Sequence, residues 1–213
     1  MPSKNVVRQY VENGYYHVYN RGVEKRRIFE DHDDYKKFLY YISIYLSPAD
    51  ILHTQEPLLR ANLVKNNLSG EAQLLAYCLM PNHFHLLLKQ NTKEATTKLM
   101  RQLINAYTLY FNRRHNRVGS LFQGVFKTIR VENEQYLLQL SKYIHQDPLQ
   151  INASLEDFTW SSYKNYLNEP SPEWLKAQEI LSYFNKEKPQ LSYKKFVEDE
   201  LNYPTEVKSL FLE

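Results

Sequence analysis

Only one cysteine, five glycines and nine prolines occur in 213 residues, and no apolar run approaches the roughly 20 residues that a bilayer-spanning helix needs. The lone thiol, Cys78, cannot close an internal disulfide, which excludes the stapled secreted scaffolds and fits a reducing compartment. It lies in an apolar run and reads as core rather than as a nucleophile. Glycine and proline this sparse, without a period, exclude collagen-like and low-complexity chains. Met1-Pro2-Ser3-Lys4-Asn5 leads into no apolar stretch, so neither a secretory signal nor a membrane anchor is expected, and a cytoplasmic protein is. What the chain has in quantity is aromatic. Eighteen tyrosines and 10 phenylalanines, within a composition 43% apolar and 24% charged, are enough for the core of one or at most two globular domains.

Negative charge is missing from one long stretch. Residues 1 to 94 hold 12 basic and 10 acidic side chains, residues 95 to 131 hold 7 basic and none acidic, and residues 132 to 213 hold 8 basic and 14 acidic. The overall net charge of +3 conceals this division. The carboxylate-free stretch carries Lys98, Arg101, Arg113, Arg114, Arg117, Lys127 and Arg130 among Tyr107, Tyr110, Phe111, Phe122 and Phe126. Phosphates call for such cations and unpaired bases for such aromatic faces, so the stretch suits a polyanion; a solvated helix face followed by an ordinary strand has the same composition.

The pattern of elements is mixed. Tyr15 to Asn20 is aromatic and β-branched and is closed by Arg21-Gly22, a strand and turn. Phe29 to Leu46 repeats apolar residues at helical spacing, behind Asp31, Asp33 and Asp34. Residues 47 to 70, with Pro48 and Pro57, read mostly as loop. Gln73 to Met80 and His83 to Lys89 form two short strands about the turn pair Pro81-Asn82. A long helix is predicted from about Lys93 to Arg114, a strand from Ser120 to Val131, and a helix from Glu134 to Gln146, capped by Asn133 and stopped by Pro148. Hairpin-linked strands among helices imply an α+β fold, one antiparallel sheet with helices packed on it. After Trp160-Ser161-Ser162-Tyr163 and a break at Pro170 to Pro172, amphipathic stretches at Trp174 to Phe184 and Tyr193 to Leu201 read as a helical extension.

The chemistry concentrates in His83-Phe84-His85. Residues two apart on a strand share a face, so both imidazoles point one way and Phe84 the other, into the core. Such a pair can hold a divalent metal, or it can be two hydrogen-bonded histidines; a third ligand decides. No further His or Cys follows at a zinc spacing. An oxygen ligand from a distant helix would complete a site suited to Mg²⁺ or Mn²⁺ engaged with phosphate. Tyr143 and Asp147, four apart on the predicted helix, share a face and would bring a phenol and a carboxylate together. A phenol of pKa near 10 needs a nearby cation to become a nucleophile, and packing is the ordinary role of a tyrosine in so tyrosine-rich a chain.

Leu79-Met80-Pro81-Asn82-His83-Phe84-His85-Leu86-Leu87, Tyr110-Phe111-Asn112-Arg113-Arg114, Gly119-Ser120-Leu121-Phe122-Gln123-Gly124, Tyr143-Ile144-His145-Gln146-Asp147-Pro148 and Trp160-Ser161-Ser162-Tyr163 stand in an order that resembles the single-tyrosine HUH transposases. Within them the likeness is to the REP-associated tyrosine transposases, relatives of the insertion-sequence-200-like elements, and it extends from about Tyr15 to Leu167. The resemblance implies a ferredoxin-like endonuclease domain over residues 1–168, with 169–213 as the appended helical extension. It implies cleavage and strand transfer on hairpin-bearing single-stranded DNA through a 5′-phosphotyrosine, with Tyr143 as nucleophile and His83, His85 and Asp147 as ligands of Mg²⁺ or Mn²⁺. Asp147 stands where the family usually has an amide, which leaves open whether Gln146 substitutes. DNA contacts are expected from Arg21, Arg113, Arg114, Arg117, Lys127 and Arg130. Two other readings stand beside this one, a non-catalytic DNA-binding module derived from such a transposase and a metal-dependent hydrolase of small phosphoesters. Monomer and homodimer are both compatible with the sequence.

Overall fold

The structure is a computed structural model and is described for residues 10–55, 66–167, 169–185 and 187–199. Four strands, β1 (Gly14–Arg21), β2 (Ala72–Met80), β3 (His83–Gln90) and β4 (Lys127–Val131), form a sheet in the order β2-β3-β1-β4 with every neighbouring pair antiparallel. The helices are α1 (His32–Leu46), α2 (Ala49–Gln55), α3 (Ala95–Arg114), α4 (Glu134–Gln146), α5 (Tyr163–Leu167), α6 (Gln178–Leu181) and α7 (Pro189–Glu198). The α+β architecture is the one the sequence implies. Two local readings change. Residues 47–70 include the helix α2, while 56–65 lie outside the described residues, and only Lys127–Val131 of the stretch from Ser120 is strand. Leu121 and Phe122 of that stretch are buried without being strand, so their apolar character reports packing rather than a ladder.

Alternation along the strands divides the core in two. Phe84, Leu86 and Leu88 of β3 face α1 and α3 together with Tyr16 and Val18 of β1, whereas Leu87 joins Ala76, Cys78, Met80 and Val131 against Leu137, Leu140 and Ile144 of α4. Phe84 is fully buried, with its ring 5.2 Å from Phe38 and 5.8 Å from Phe122. Replacing Phe84 with Ala is expected to lower unfolding free energy by about 3–5 kcal/mol, read as a shifted urea midpoint.

One extra residue, Leu75, interrupts the β2–β3 register between Leu74 and Ala76, and its carbonyl accepts the Tyr166 hydroxyl at 2.7 Å. The bulge thus ties α5 to the sheet without leaving a buried carbonyl unpaired. Past it, the Trp160 to Ser162 segment bonds to β2: Leu79 N donates to the Trp160 carbonyl and Ser162 N to that of Tyr77.

Helix α4 begins as the sequence predicts, with the Asn133 side chain accepting from Tyr136 N at 2.8 Å. Its far side carries α7. His145 is fully buried there, with Nδ1 2.7 Å from the Tyr193 hydroxyl and Nε2 2.7 Å from Ser162 Oγ. Burial pushes its pKa down from 6.5 to about 3. Between those values the unfolded chain binds a proton that the folded one refuses, so stability is full above pH 6.5 and falls with acidification. Urea titrations in EDTA are expected to show the wild type losing about 1.4 kcal/mol more per pH unit below 6.5 than His145→Gln.

Candidate metal site

The tight turn at Pro81-Asn82 is held from outside, with the Pro81 carbonyl accepting from Ile28 N and Phe29 N and the Asn82 carbonyl from Gly22 N. A Cβ on Gly22 would overlap the Arg26 carbonyl, so glycine is what lets the chain after β1 close onto this turn. The turn delivers His83 and His85 to the α4 face of the sheet, opposite Arg21 and Tyr19 in the β1 register. Asp147, the residue that follows α4, descends onto them. Its Oδ2 lies 3.1 Å from His83 Nε2 and 3.8 Å from His85 Nε2, and all three side chains are buried.

Hydrogen bonds fix how these groups are presented. His83 Nδ1 is 2.7 Å from Asn82 Oδ1, a carbonyl oxygen that can only accept, so Nδ1 holds a proton and Nε2 is the atom turned to Asp147. Lone pair and carboxylate at that distance repel unless a proton or a cation stands between them. His85 Nε2 is buried and has no hydrogen-bond partner among the described residues. Burial, followed by the charges of His17, His83 and Arg21, holds the His85 pKa well below the ordinary imidazole value, so this ring is neutral near pH 7. One ligand atom from each of His83, His85 and Asp147 lies within 4.8 Å of the others. Two imidazoles and one carboxylate oxygen, with an orphaned buried nitrogen among them, suit a divalent ion. The second Asp147 oxygen accepts from Gln150 Nε2 at 2.7 Å. Gln146 is turned the other way, donating to the Val197 carbonyl, so the carboxylate and not the neighbouring amide faces the histidines.

Tyr143 lies one turn before Asp147 on the same face of α4. Its ring meets His85 edge-on with centroids 5.4 Å apart and His17 with centroids 6.1 Å apart. Tyr19 of β1 is a second aromatic neighbour of His85, at 5.9 Å, and burial raises the pKa of its hydroxyl.

The basic residues expected at DNA separate into groups. Arg21 and Lys127 lie on the histidine face, Arg21 opposite His83 and Lys127 opposite Tyr19 with Nζ 5.8 Å from that ring. The Arg21 Nε is buried with no hydrogen-bond partner among the described residues. Arg130 pairs with Tyr16 and so lies on the opposite face, and Arg113 is exposed at the end of α3. Arg114 is already committed: its guanidinium spans Asp31 and Asp34, with NH1 at 2.7 and 2.8 Å, and reaches Asp33 at 3.2 Å. Arg117 donates to Asn112 Oδ1 at 2.7 Å and to the Ser120 carbonyl at 3.2 Å. These two arginines clamp the protein to itself, a role that depends on partners as much as 83 residues away in sequence.

Sequence reasoning missed His17. It is fully buried in β1 and its Nε2 lies 2.7 Å from His85 Nδ1. Its two-residue spacing from Tyr19 places it on their common face, but only the β1–β3 register makes it a neighbour of His85.

Comparison with known proteins bears on the family and the fold. The family model described as Transposase IS200 like matches residues 10–147. No curated protein sequence matches the chain. Among solved structures, a REP-associated tyrosine transposase bound to a REP hairpin superposes with a TM-score of 0.50 at 12% identity, over 76% of this chain and 84% of that one, a likeness of fold. A candidate transposase from Deinococcus radiodurans R1 gives 0.37 at 16% identity over 66% of this chain and 95% of that one. A tRNA(His) guanylyltransferase from Saccharomyces cerevisiae gives 0.39 at 9% identity over 95% and 86%. No helix of the described residues is long and apolar enough to cross a membrane.

Proposed function

The chain belongs to the IS200-like transposase family, and from that premise we propose that it is a single-tyrosine HUH enzyme that cleaves and rejoins hairpin-bearing single-stranded DNA through a covalent 5′-phosphotyrosine. Family membership makes it a DNA-binding transposase. The observation that carries the finer reading is convergence. Two imidazoles from β3 and a carboxylate 64 residues from His83 lie within ligand distance, and Tyr143 packs against one of those rings.

Mg²⁺ or Mn²⁺ held by His83, His85 and Asp147 would supply Lewis-acid polarisation of the scissile phosphate. Tyr143 gives up its phenolic proton to solvent and its oxygen attacks phosphorus. The new P–O bond to tyrosine forms as the bond to the 3′ oxygen breaks, and that oxygen leaves as a hydroxyl after taking a proton from water. The phosphodiester energy stays in the link, so an incoming DNA 3′-hydroxyl can reverse the step and join strands without ATP. Arg21 and Lys127, on the histidine face, position the DNA backbone near the phosphate, while Arg113 and Arg130 meet it further out. In this reading residues 1–168 form the nuclease, and the extension from 169 buttresses α4 from behind.

The test is a labelled single-stranded hairpin oligonucleotide incubated with the full chain and Mn²⁺, resolved under denaturing conditions. A protein–DNA adduct and a shorter strand ending in a 3′-hydroxyl are expected, both lost in EDTA. Products without an adduct would contradict the mechanism, and hairpin binding indifferent to EDTA with no product would favour the non-catalytic binding module.

A further inference from the structure

We infer that His17 is a positioning residue for the metal site, accepting the Nδ1 proton of His85 and so holding that ring with its Nε2 lone pair toward Asp147. The inference rests on the metal-site reading above and deepens it. His17 and His85 are both fully buried, their rings lie 5.0 Å apart at 19°, and His17 Nε2 is 2.7 Å from His85 Nδ1. A single proton occupies that contact. If His17 donated it, His85 would carry its own proton on Nε2 and aim an N–H at the place where a ligand needs a lone pair. With His85 donating instead, Nε2 is bare, 3.8 Å from Asp147 Oδ2, and His17 keeps its proton on Nδ1.

His83 and His85 therefore have matching supports of different kinds. Asn82 offers His83 a carbonyl oxygen that can only accept, from the adjacent residue. His17 offers His85 a ring nitrogen from the neighbouring strand, where the β1–β3 ladder fixes its distance. Gln at position 17 could present an amide oxygen at about the reach of Nε2. Phe would fill much the same volume and accept nothing.

The experiment measures Mn²⁺ binding to the full chain without DNA, by the loss of the free-ion paramagnetic resonance signal, for wild type, His17→Phe, His17→Gln and His83→Ala. The expected result is an affinity lowered about 10–100-fold in His17→Phe, the range for loss of an outer-shell partner of a ligating histidine, with most of it restored in His17→Gln. Thermal melts establish that the variants are folded. Independently of any variant, long-range ¹H–¹⁵N spectra of the Mg²⁺-loaded wild type are expected to show His85 protonated at Nδ1 and not at Nε2. Wild-type affinity in His17→Phe, or equal weakening in both position-17 variants, would overturn the inference while leaving the metal site standing; the reverse His85 tautomer would overturn the inference and also remove His85 from the ligands. Absence of Mn²⁺ binding in the wild type, or binding undiminished in His83→Ala, would overturn the metal-site reading and this inference with it.

Discussion

Tyr143→Phe is expected to abolish the covalent protein–DNA adduct and to lower hairpin cleavage by roughly 10⁴-fold or more, the scale on which removing a nucleophile acts. The substitution takes away one hydroxyl and leaves the ring that packs edge-on to His85 and His17. Mn²⁺ affinity and hairpin affinity should therefore stay close to wild type. That separation makes the result diagnostic, because a misfolded site would lose binding and chemistry together. Tyr19 is the natural control, as its ring is 5.9 Å from His85 on the same face of the sheet. Burial pushes its hydroxyl above the ordinary phenol range, making the phenolate harder to reach, so Tyr19→Phe should keep the adduct. An adduct that survives Tyr143→Phe and vanishes in Tyr19→Phe would transfer the role to the strand.

The second large effect is expected at Asp147. Asp147→Ala removes the oxygen that faces both His83 Nε2 and His85 Nε2, and Mn²⁺ affinity should fall by at least the 10–100-fold that loss of an outer-shell partner costs. Asp147→Asn retains a ligand oxygen but not the charge, so it should lie between wild type and Ala. Stability separates this role from a packing role. In EDTA, Asp147→Ala sheds the cost of a buried carboxylate but leaves Gln150 Nε2 without its acceptor, so its stability there is the baseline from which the effect of the ion is read. With the ion at 100 times its Kd, wild type should gain about 2.7 kcal/mol and the Ala variant almost nothing. An Ala variant that still gains as much as wild type on adding Mn²⁺ would place the ion elsewhere.

Much of the site could be read from spacing because its parts lie on regular elements. His83 and His85 share a strand face by the period of two, Tyr143 and Asp147 share a helix face by the period near four, and Asn133 fixes where that helix begins. Their convergence was expected through resemblance, since no local rule says that the helix face overlies the histidine strand. The arginines illustrate the converse. Arg114 stands in a stretch free of carboxylates, yet Asp31, Asp33 and Asp34 reach it from the start of α1, so a charge pattern along the chain says little about charge in space. Asp34 is fully buried and also lies 3.0 Å from His115 Nε2, which makes this a built ion-pair cluster rather than an open cationic face. His17 escaped for the same reason, because a histidine in a strand acquires meaning only from the register of its neighbour. The bulge at Leu75 and the helix α2 were hidden differently: one depends on a partner strand, and the other lies among prolines and polar residues that carry ordinary loop signals.

Mass spectrometry of the proteolysed adduct tests the whole scheme at its centre, by asking which side chain carries the nucleotide after reaction with a single-stranded hairpin and Mn²⁺. The expected spectrum places one 5′-linked nucleotide phosphate on the peptide containing Tyr143 and on no other. A nucleotide carried by a different residue, or cleaved DNA with every peptide unmodified, would contradict it.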